Sequence, residues 1–385
     1  MLANESVWNG SLPFGFEGGI STADDAIGTT ADGVALDVVW SEVQDILAAW
    51  NANRDALTAV LSYSTTLKAE AIPQSSSTDS FEPASEFGQP ESLRPPADYV
   101  LMGFDFYDYD KASRWTRFAL RDSTAGQIRA TLNYALEADN RLLNSAILHQ
   151  LFTDTARINE DGQTVWPLYN ADSTVPPEYL GKRFTSNHQH FLASGHATID
   201  SGDLEDLAKT VTHHGYGVDP TSRLLCLMNP EQAEQVASFK AGEENANSAV
   251  AKHSFIPSQG APAFLTAEQI IGTQAPAAYE NLKVEGSYGN LWIVQSDLIP
   301  EDYISVVATY GANSPSNAIA VRQHPNAIYQ GFRTIPGAGE YPIQDSFFTR
   351  AFGTGVRRRG QAACMQITAE TSYTAPDIYG YVSPV

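Results

Sequence analysis

The 385-residue chain lacks long apolar runs and has only two cysteines. No apolar stretch approaches the roughly 18 residues that a membrane-spanning helix needs, so we expect no membrane partner. The first residues show no basic segment followed by an apolar core, so we expect no secretory signal. Cys226 and Cys364 lie in apolar, strand-like runs. We expect buried, reduced thiols there and no disulfide.

Positive charge is also scarce. The chain has 23 basic and 45 acidic residues, and its net charge is -22. Such a surface repels nucleic acid as a whole, which excludes a DNA-binding exterior. It remains compatible with a container whose walls must not adhere to packed DNA.

The sequence lacks the common catalytic motifs. Residues 285–289 resemble a nucleophile elbow but miss one of its positions, and no H-E-x-x-H occurs. The basic run at residues 353–360 lacks the Gly-Lys-Ser/Thr ending of a phosphate-binding loop. Acidic pairs lie in polar surroundings, where nothing separates their pKa values. We therefore expect that the protein is not an enzyme and that it has neither catalytic residues nor a cofactor.

Histidines cluster twice, as His188 and His190 with His196, and as His213 with His214. An H-x-H pair on a strand places both imidazoles on one face, which a zinc or iron site could use. No third close ligand is evident from the sequence. We expect surface or interface histidines and no metal site, with a metal site as the alternative.

Residues 99–152 are the most distinctive segment of the sequence. An aromatic ribbon at residues 99–120 leads into a segment whose apolar residues recur every three or four positions, which predicts one long amphipathic helix. Thr124 and Gln127 have capping-box spacing at its start. A helix of roughly 28 residues is about 42 Å long. That length suits a protein that tiles a shell better than a compact enzyme.

The segments before the ribbon predict an arm, a helix and a long loop. The apolar residues of segment 1–33 show no helical or strand period. This suggests an extended arm that becomes ordered only when it lies on another part of the structure. Residues 34–52 predict a helix packed on its own subunit, with partner binding through Trp40 and Trp50 as the alternative. Residues 57–67 resemble a strand, and residues 73–98 form the tip of a two-stranded arm. Since an isolated ribbon is marginally stable, we expect another subunit to cover it.

The second half predicts a mixed α+β lobe. A helix at residues 203–211, capped by Ser201, precedes a buried strand at 223–228 and a helix started by Asn229 and Pro230. Strands are predicted at 291–295, 303–308 and 318–322 in the same lobe. A last strand, at 361–367, is expected to return to the long helix.

Four segments resemble the major capsid proteins of tailed phages, specifically the actinobacteriophage type with the HK97 fold. They are residues 104–122, 136–142, 200–207 with 214–217, and 345–353. The resemblance extends from about residue 55 to the end of the chain. It implies an α+β capsid fold made of these parts: an N-terminal arm and helix (1–53), an extended loop (54–122), a peripheral domain with the spine helix (123–199), an axial domain (200–336) and C-terminal strands of the peripheral domain (337–385).

The resemblance further implies self-assembly into hexamers and pentamers of an icosahedral shell around double-stranded DNA. The expected location is the virion, after assembly in the bacterial host cytoplasm. The expected partners are copies of the chain, separate scaffolding, portal and possibly decoration proteins, and DNA held without sequence-specific contact. Candidate subunit-interface residues are Trp40, Trp50, Phe104, Phe106, Tyr109, Trp115, Arg357, Arg358 and Arg359. We expect the three arginines to pair with carboxylates across subunit borders.

Two alternatives remain. An encapsulin-like compartment shell has the same fold but holds an enzyme as cargo, and a soluble hydrolase with an unrecognised site is a more distant possibility. Some relatives crosslink a loop lysine to an asparagine of a neighbour. Here Lys68 and Lys111 fall in the loop strands and not at its tip. We therefore expect a shell without covalent crosslinks.

Overall fold

The computed structural model describes residues 27–53, 55–73, 83–84, 86, 88–89, 99–172, 174–185, 187–261, 274–336 and 345–382. Most of the predicted N-terminal arm and most of the predicted loop tip lie outside these residues. The helices are α1 (Leu36–Ala52), α2 (Ala56–Leu61), α3 (Arg117–Asp122), α4 (Ala125–Phe152), α5 (Ser201–Thr212) and α6 (Pro230–Val236). No helix among the described residues is long and apolar enough to cross a membrane.

Eighteen strands are present in the described part of the chain. In chain order they are β1 (Ser62–Thr65), β2 (Ala69–Pro73), β3 (Tyr99–Gly103), β4 (Tyr107–Arg114), β5 (Arg157–Ile158), β6 (Thr164–Val165), β7 (Phe191–Ala193), β8 (Arg223–Met228), β9 (Phe255–Pro257), β10 (Ala278–Tyr279), β11 (Leu282–Lys283), β12 (Gly286–Tyr288), β13 (Leu291–Gln295), β14 (Tyr303–Thr309), β15 (Ile319–Gln323), β16 (Phe332–Pro336), β17 (Asp345–Val356) and β18 (Ala362–Gln366).

Helix α4 confirms the predicted spine helix. It has 28 residues, and the Thr124 and Gln127 side chains form both hydrogen bonds of a capping box. From Ala125 to Asp139 its buried residues follow one face, as predicted. Residues 143–148 and 150–152 are all buried, so the prediction of a single buried stripe is wrong for the C-terminal part of the helix. The cap satisfies backbone N–H groups that otherwise have no partner at a helix start. The beginning of the helix is therefore encoded locally.

A seven-stranded sheet lies at the centre of the fold, in the order β7-β18-β14-β8-β13-β12-β9. Successive residues of β8 point to opposite faces. Leu225 and Leu227 belong to a core with the C-terminal half of α4, whereas Leu224 and Cys226 belong to a second core with α5 and α6. Because both faces are covered, β8 is one continuous apolar run.

A five-stranded sheet joins β1, β15, β17, β16 and β4. Strand β17 pairs with β4 over eight residues, from Asp345 opposite Arg114 to Phe352 opposite Tyr107. At Gly353 an added Cβ would lie 1.8 Å from the Asp105 carbonyl oxygen. Only glycine allows the backbone of the extended loop to come this close to β17.

Some local predictions need correction. Residues 57–67 are not one strand, because α2 occupies Ala56–Leu61 before β1 begins. The ribbon ends earlier than predicted, since α3 starts at Arg117. Asp200, not Ser201, is the N-cap of α5. Strand β15 belongs to the five-stranded sheet and not to the lobe of β8, β13 and β14.

Both cysteines are free and buried, as predicted. The last strand also meets the spine helix, as predicted, because the Cys364 thiol donates to the Leu151 carbonyl oxygen of α4. The same strand adds to the seven-stranded sheet, where it pairs with β14 and β7. The C-terminal strands therefore connect the two sheets.

Candidate subunit interfaces

The N-terminal helix α1 packs on the spine helix of its own chain. Val43 and Leu47 contact the same cluster as Leu132 and Leu136 of α4. Trp40 packs against a neighbouring cluster at the start of α4. This confirms the favoured interpretation of a helix on its own core. Partner binding through Trp40 and Trp50 stays a prediction.

Trp50 is held by a buried polar contact. Its indole N–H donates to the Asp139 carboxylate at 2.8 Å, and Arg350 of β17 donates to the same oxygen at 2.8 Å. Burial raises the pKa of Asp139 although the Arg350 charge opposes the shift. The contact links α1, α4 and β17. The indole N–H of Trp50 is therefore already paired within its own chain.

The ribbon aromatics are covered mainly by the chain itself. Phe104 is fully buried in a cluster with Tyr63 and Ala320. The Tyr109 ring lies 5.4 Å from that of Phe352, and Trp115 packs near the start of α4. The prediction that another subunit covers this part of the ribbon is wrong, because β17 lies along β4. Phe104 has no exposed surface to offer to a neighbour.

A cation lies over the ring of Phe106. The Arg322 guanidinium lies 5.0 Å from the centre of its ring. Phe106 remains half-buried in the single chain. The positive charge is attracted to the face of the ring, and the part of Phe106 that stays exposed keeps it an interface candidate.

The arginine run at residues 357–359 pairs inside the chain. Arg357 forms an ion pair with Glu70 of β2 at 2.5 Å, and the buried Arg359 forms one with Asp172. Arg358 donates to the Ser316 carbonyl oxygen at 2.9 Å. The prediction of carboxylate partners is confirmed for two of the arginines, but their assignment to another subunit is wrong. Arg357 therefore ties the base of the extended loop to the residue that follows β17.

The ribbon of β2 and β3 keeps an uncovered outer face. Along β3, Val100 and Met102 line a cavity of about 220 Å³ together with Tyr179 and Arg357. Tyr99 and Leu101 alternate with them and are 51% and 48% exposed. Large apolar side chains exposed together on one strand are typical of a surface that another protein covers.

A broad surface cavity lies along the spine helix. It has a volume of about 750 Å³ and lies between β4, α4 and the C-terminal segment. Tyr134 of α4 and Val382 line it and are more than half exposed. The cavity and the outer face of β3 are apolar surfaces that α4 and the described part of the loop present to solvent.

The histidines do not all lie at the surface. His196 and His213 are exposed, but His190 and His214 are buried, and His188 is half-buried. Ring nitrogens of His188, His190 and His214 lie within 4.8 Å of one another. The expectation of surface or interface histidines is therefore wrong for His190 and His214. The sequence alone did not indicate His214 as a third ligand, because it lies far along the chain from His188 and His190.

No protein-family model matches the chain, and no curated protein matches it. Among solved structures, the chain is 36% identical to one described as "Mycobacterium phage Patience", over 96% of this chain and 98% of that chain, with a TM-score of 0.69. The chain belongs to the HK97-fold major capsid proteins of tailed phages. This capsid protein is a structural component of the virion shell and not an enzyme.

Weaker likenesses have TM-scores below 0.5. The capsid protein is 12% identical to a chain of the "Capsid of native GTA particle computed with C5 symmetry", over 82% of this chain and 91% of that chain, with a TM-score of 0.44. It is also 12% identical to a chain of the holo-SrpI encapsulin complex from Synechococcus elongatus PCC 7942, over 83% and 89%, with a TM-score of 0.43.

Proposed function

We propose that this capsid protein assembles into hexamers and pentamers that close into an icosahedral shell around double-stranded phage DNA. The 36% identity to a phage structure over nearly the whole of both chains carries this proposal. The uncovered apolar faces of β3 and α4 support it, because they need cover from copies of the chain. The net charge of -22 supports a wall that holds DNA without sequence-specific contact.

The proposed domain organisation has the boundaries that the sequence predicts. Residues 1–53 form the arm and helix, 54–122 the extended loop, 123–199 the peripheral domain, 200–336 the axial domain and 337–385 the C-terminal strands. Within 200–336, β15 and β16 are the exception, because they belong to the five-stranded sheet. In this proposal the outer face of β3 lies on a neighbouring subunit. Trp40, Trp50, Phe106, Tyr109, Trp115 and Arg358 keep some exposed surface and remain interface candidates. Separate scaffolding and portal proteins complete the particle, with or without decoration proteins, and the particle assembles in the host cytoplasm.

Electron microscopy of the full chain expressed in a bacterium tests self-assembly. We expect closed shells with fivefold and sixfold units. The double variant Tyr99→Ser, Leu101→Ser should fold with unchanged thermal unfolding but give at least about tenfold fewer shells, since it removes only exposed apolar surface. Val250→Ser, an exposed apolar position outside the extended loop, is the matched control.

The contents of the particles distinguish the two kinds of shell. Nuclease-protected DNA in particles from infected cells supports the phage capsid, whereas a protein cargo would support the encapsulin-like alternative. A chain that stays monomeric in sedimentation at every concentration would contradict self-assembly.

A further inference from the structure

Three histidines from two distant parts of the chain meet beside the seven-stranded sheet. His188 and His190 lie just before β7, and His214 follows the end of α5. The backbone of His190 is fixed on both sides, because its N–H donates to Tyr169 and its carbonyl oxygen accepts from Cys364, each at 2.8 Å. The reactive ring atoms of the three histidines all lie within 4.8 Å of one another.

The hydrogen bonds leave lone pairs directed at the cluster. Nδ1 of His190 lies 2.6 Å from the Ala362 carbonyl oxygen. A carbonyl oxygen only accepts, so Nδ1 carries the proton and Nε2 carries a lone pair. Among the described residues, Nε2 of His188, Nε2 of His190 and both ring nitrogens of His214 are buried without a hydrogen-bond partner. A proton on one ring nitrogen that is held by a carbonyl is the usual arrangement behind a metal-bound histidine.

Burial of the three imidazoles also affects their pKa values. Desolvation lowers the pKa of His190 and of His214 to about 3 and also lowers the pKa of His188.

The surroundings hold the rings in place. The Phe184 ring stacks parallel to His214 with centroids 3.5 Å apart. Gly360 makes room for Phe184, since an added Cβ would lie 2.0 Å from its ring. Gly215 has a φ of 86°, so the chain turns sharply straight after His214. These contacts fix the position of the His214 ring within the fold.

We propose that His188, His190 and His214 bind a transition-metal cation of the zinc class. Imidazole nitrogen is a preferred ligand of zinc, cobalt, nickel and copper. With Zn–N bonds of about 2.0 Å, tetrahedral ligand nitrogens lie roughly 3.3 Å apart, so nitrogen separations of up to 4.8 Å shorten by up to about 1.5 Å when the ion binds.

Of the three proposed ligands, His188 lines an open cavity of about 480 Å³. Asp206, Lys209 and His213 are among the other lining residues. The cavity gives the cation a path from solvent and leaves room for a water ligand. The bound ion ties the end of α5 to the segment before β7. It therefore strengthens the second core, which α5 shares with the central sheet.

Zinc titration of the full chain, stripped with a chelator and held at pH 7.5, tests the proposal. We expect one Zn²⁺ per chain and a rise in the midpoint of thermal unfolding. His188→Gln should reduce the Zn²⁺ affinity at least tenfold and abolish that rise. This variant should fold without metal, because His188 is half-buried. His196→Gln, an exposed histidine outside the cluster, is the matched control and should behave like the original chain.

Cobalt(II) provides a second measurement that does not depend on stability. We expect the intense visible absorption of a four-coordinate cobalt ion, and its loss in His188→Gln. Equal Zn²⁺ affinity in His188→Gln and His196→Gln would overturn the proposal, because binding would then come from the acidic surface. So would the absence of one tight Zn²⁺ per chain. A loss in His213→Gln as large as in His188→Gln would show that the ligand set is wrong.

Discussion

At the residue scale, buried polar groups of this capsid protein hold segments that are far apart in sequence. Asn317 shows this clearly, because its side chain donates to Ser62 at 3.1 Å and to Gly311 at 2.9 Å. It also accepts from the N–H of Tyr310 at 3.0 Å. Removing such a group leaves backbone atoms unpaired, which costs more than the bond itself contributes.

His149 on the spine helix makes stability depend on pH. Its ring stacks on Tyr381 at 3.7 Å, and burial, aided by the Arg157 charge, lowers its pKa from 6.5 to about 4. Between these values the unfolded chain binds a proton that the folded chain does not. The free energy of unfolding therefore falls as the pH decreases from about 7 to 4, by on the order of 2–3 kcal/mol from this group.

Urea unfolding at several pH values measures this effect. His149→Phe keeps the stacked ring but cannot bind the proton, so its stability should fall less steeply below pH 6.5. The difference between the two curves isolates His149, since the other buried histidines contribute to both. Parallel curves would contradict the assignment.

At the element scale, two ion pairs connect the spine helix α4 to other elements, one to β17 and one to α1. The two pairs differ strongly in how far their side chains are buried. Asp139 pairs with Arg350 at 2.8 Å, and the two side chains are 3% and 13% exposed. Arg129 pairs with Glu42 at the same distance, but these side chains are 42% and 40% exposed. Breaking a buried pair leaves a desolvated charge, whereas a surface pair contributes little.

Asp139→Asn should lower the free energy of unfolding by about 2–4 kcal/mol, because Arg350 then keeps a buried charge without a counter-ion. Arg129→Gln also breaks a contact between α1 and α4, and its cost should stay below about 1 kcal/mol. Chemical unfolding of both variants gives the comparison. Equal losses would mean that burial does not set the strength of these contacts.

At the scale of the whole molecule, the described contacts give no sign of a crosslinking lysine. Lys68 forms an ion pair with Asp161 at 2.6 Å, just before β2 begins. Lys111 lies within β4 and is exposed. Neither lysine lies at the tip of the extended loop. The shell is therefore expected to be held by overlap of arms and loops alone.

Mature particles boiled in denaturant should run on a gel as one band near the mass of the chain, 41.7 kDa. Only non-covalent contacts would then hold the subunits together. A ladder of linked subunits would contradict this prediction. Mass spectrometry of any slower band would identify the linked residues.

The sequence by itself determined the excess of acidic residues and the helices α1, α4, α5 and α6. The cap at Thr124 and the apolar period of α4 are local, so they predicted both its position and its length. Helix α2 escaped prediction because its residues are almost all buried, and a short apolar run has no helical period to detect.

Only the tertiary structure decided which segments meet. The pairing of β4 with β17, the transfer of β15 to the five-stranded sheet and the intramolecular partners of Arg357 and Arg359 all join residues that are distant in sequence. The same holds for His214, which reaches His188 and His190 only when α5 packs on the central sheet. Local patterns specify elements, but contacts between them depend on which apolar faces can be buried together.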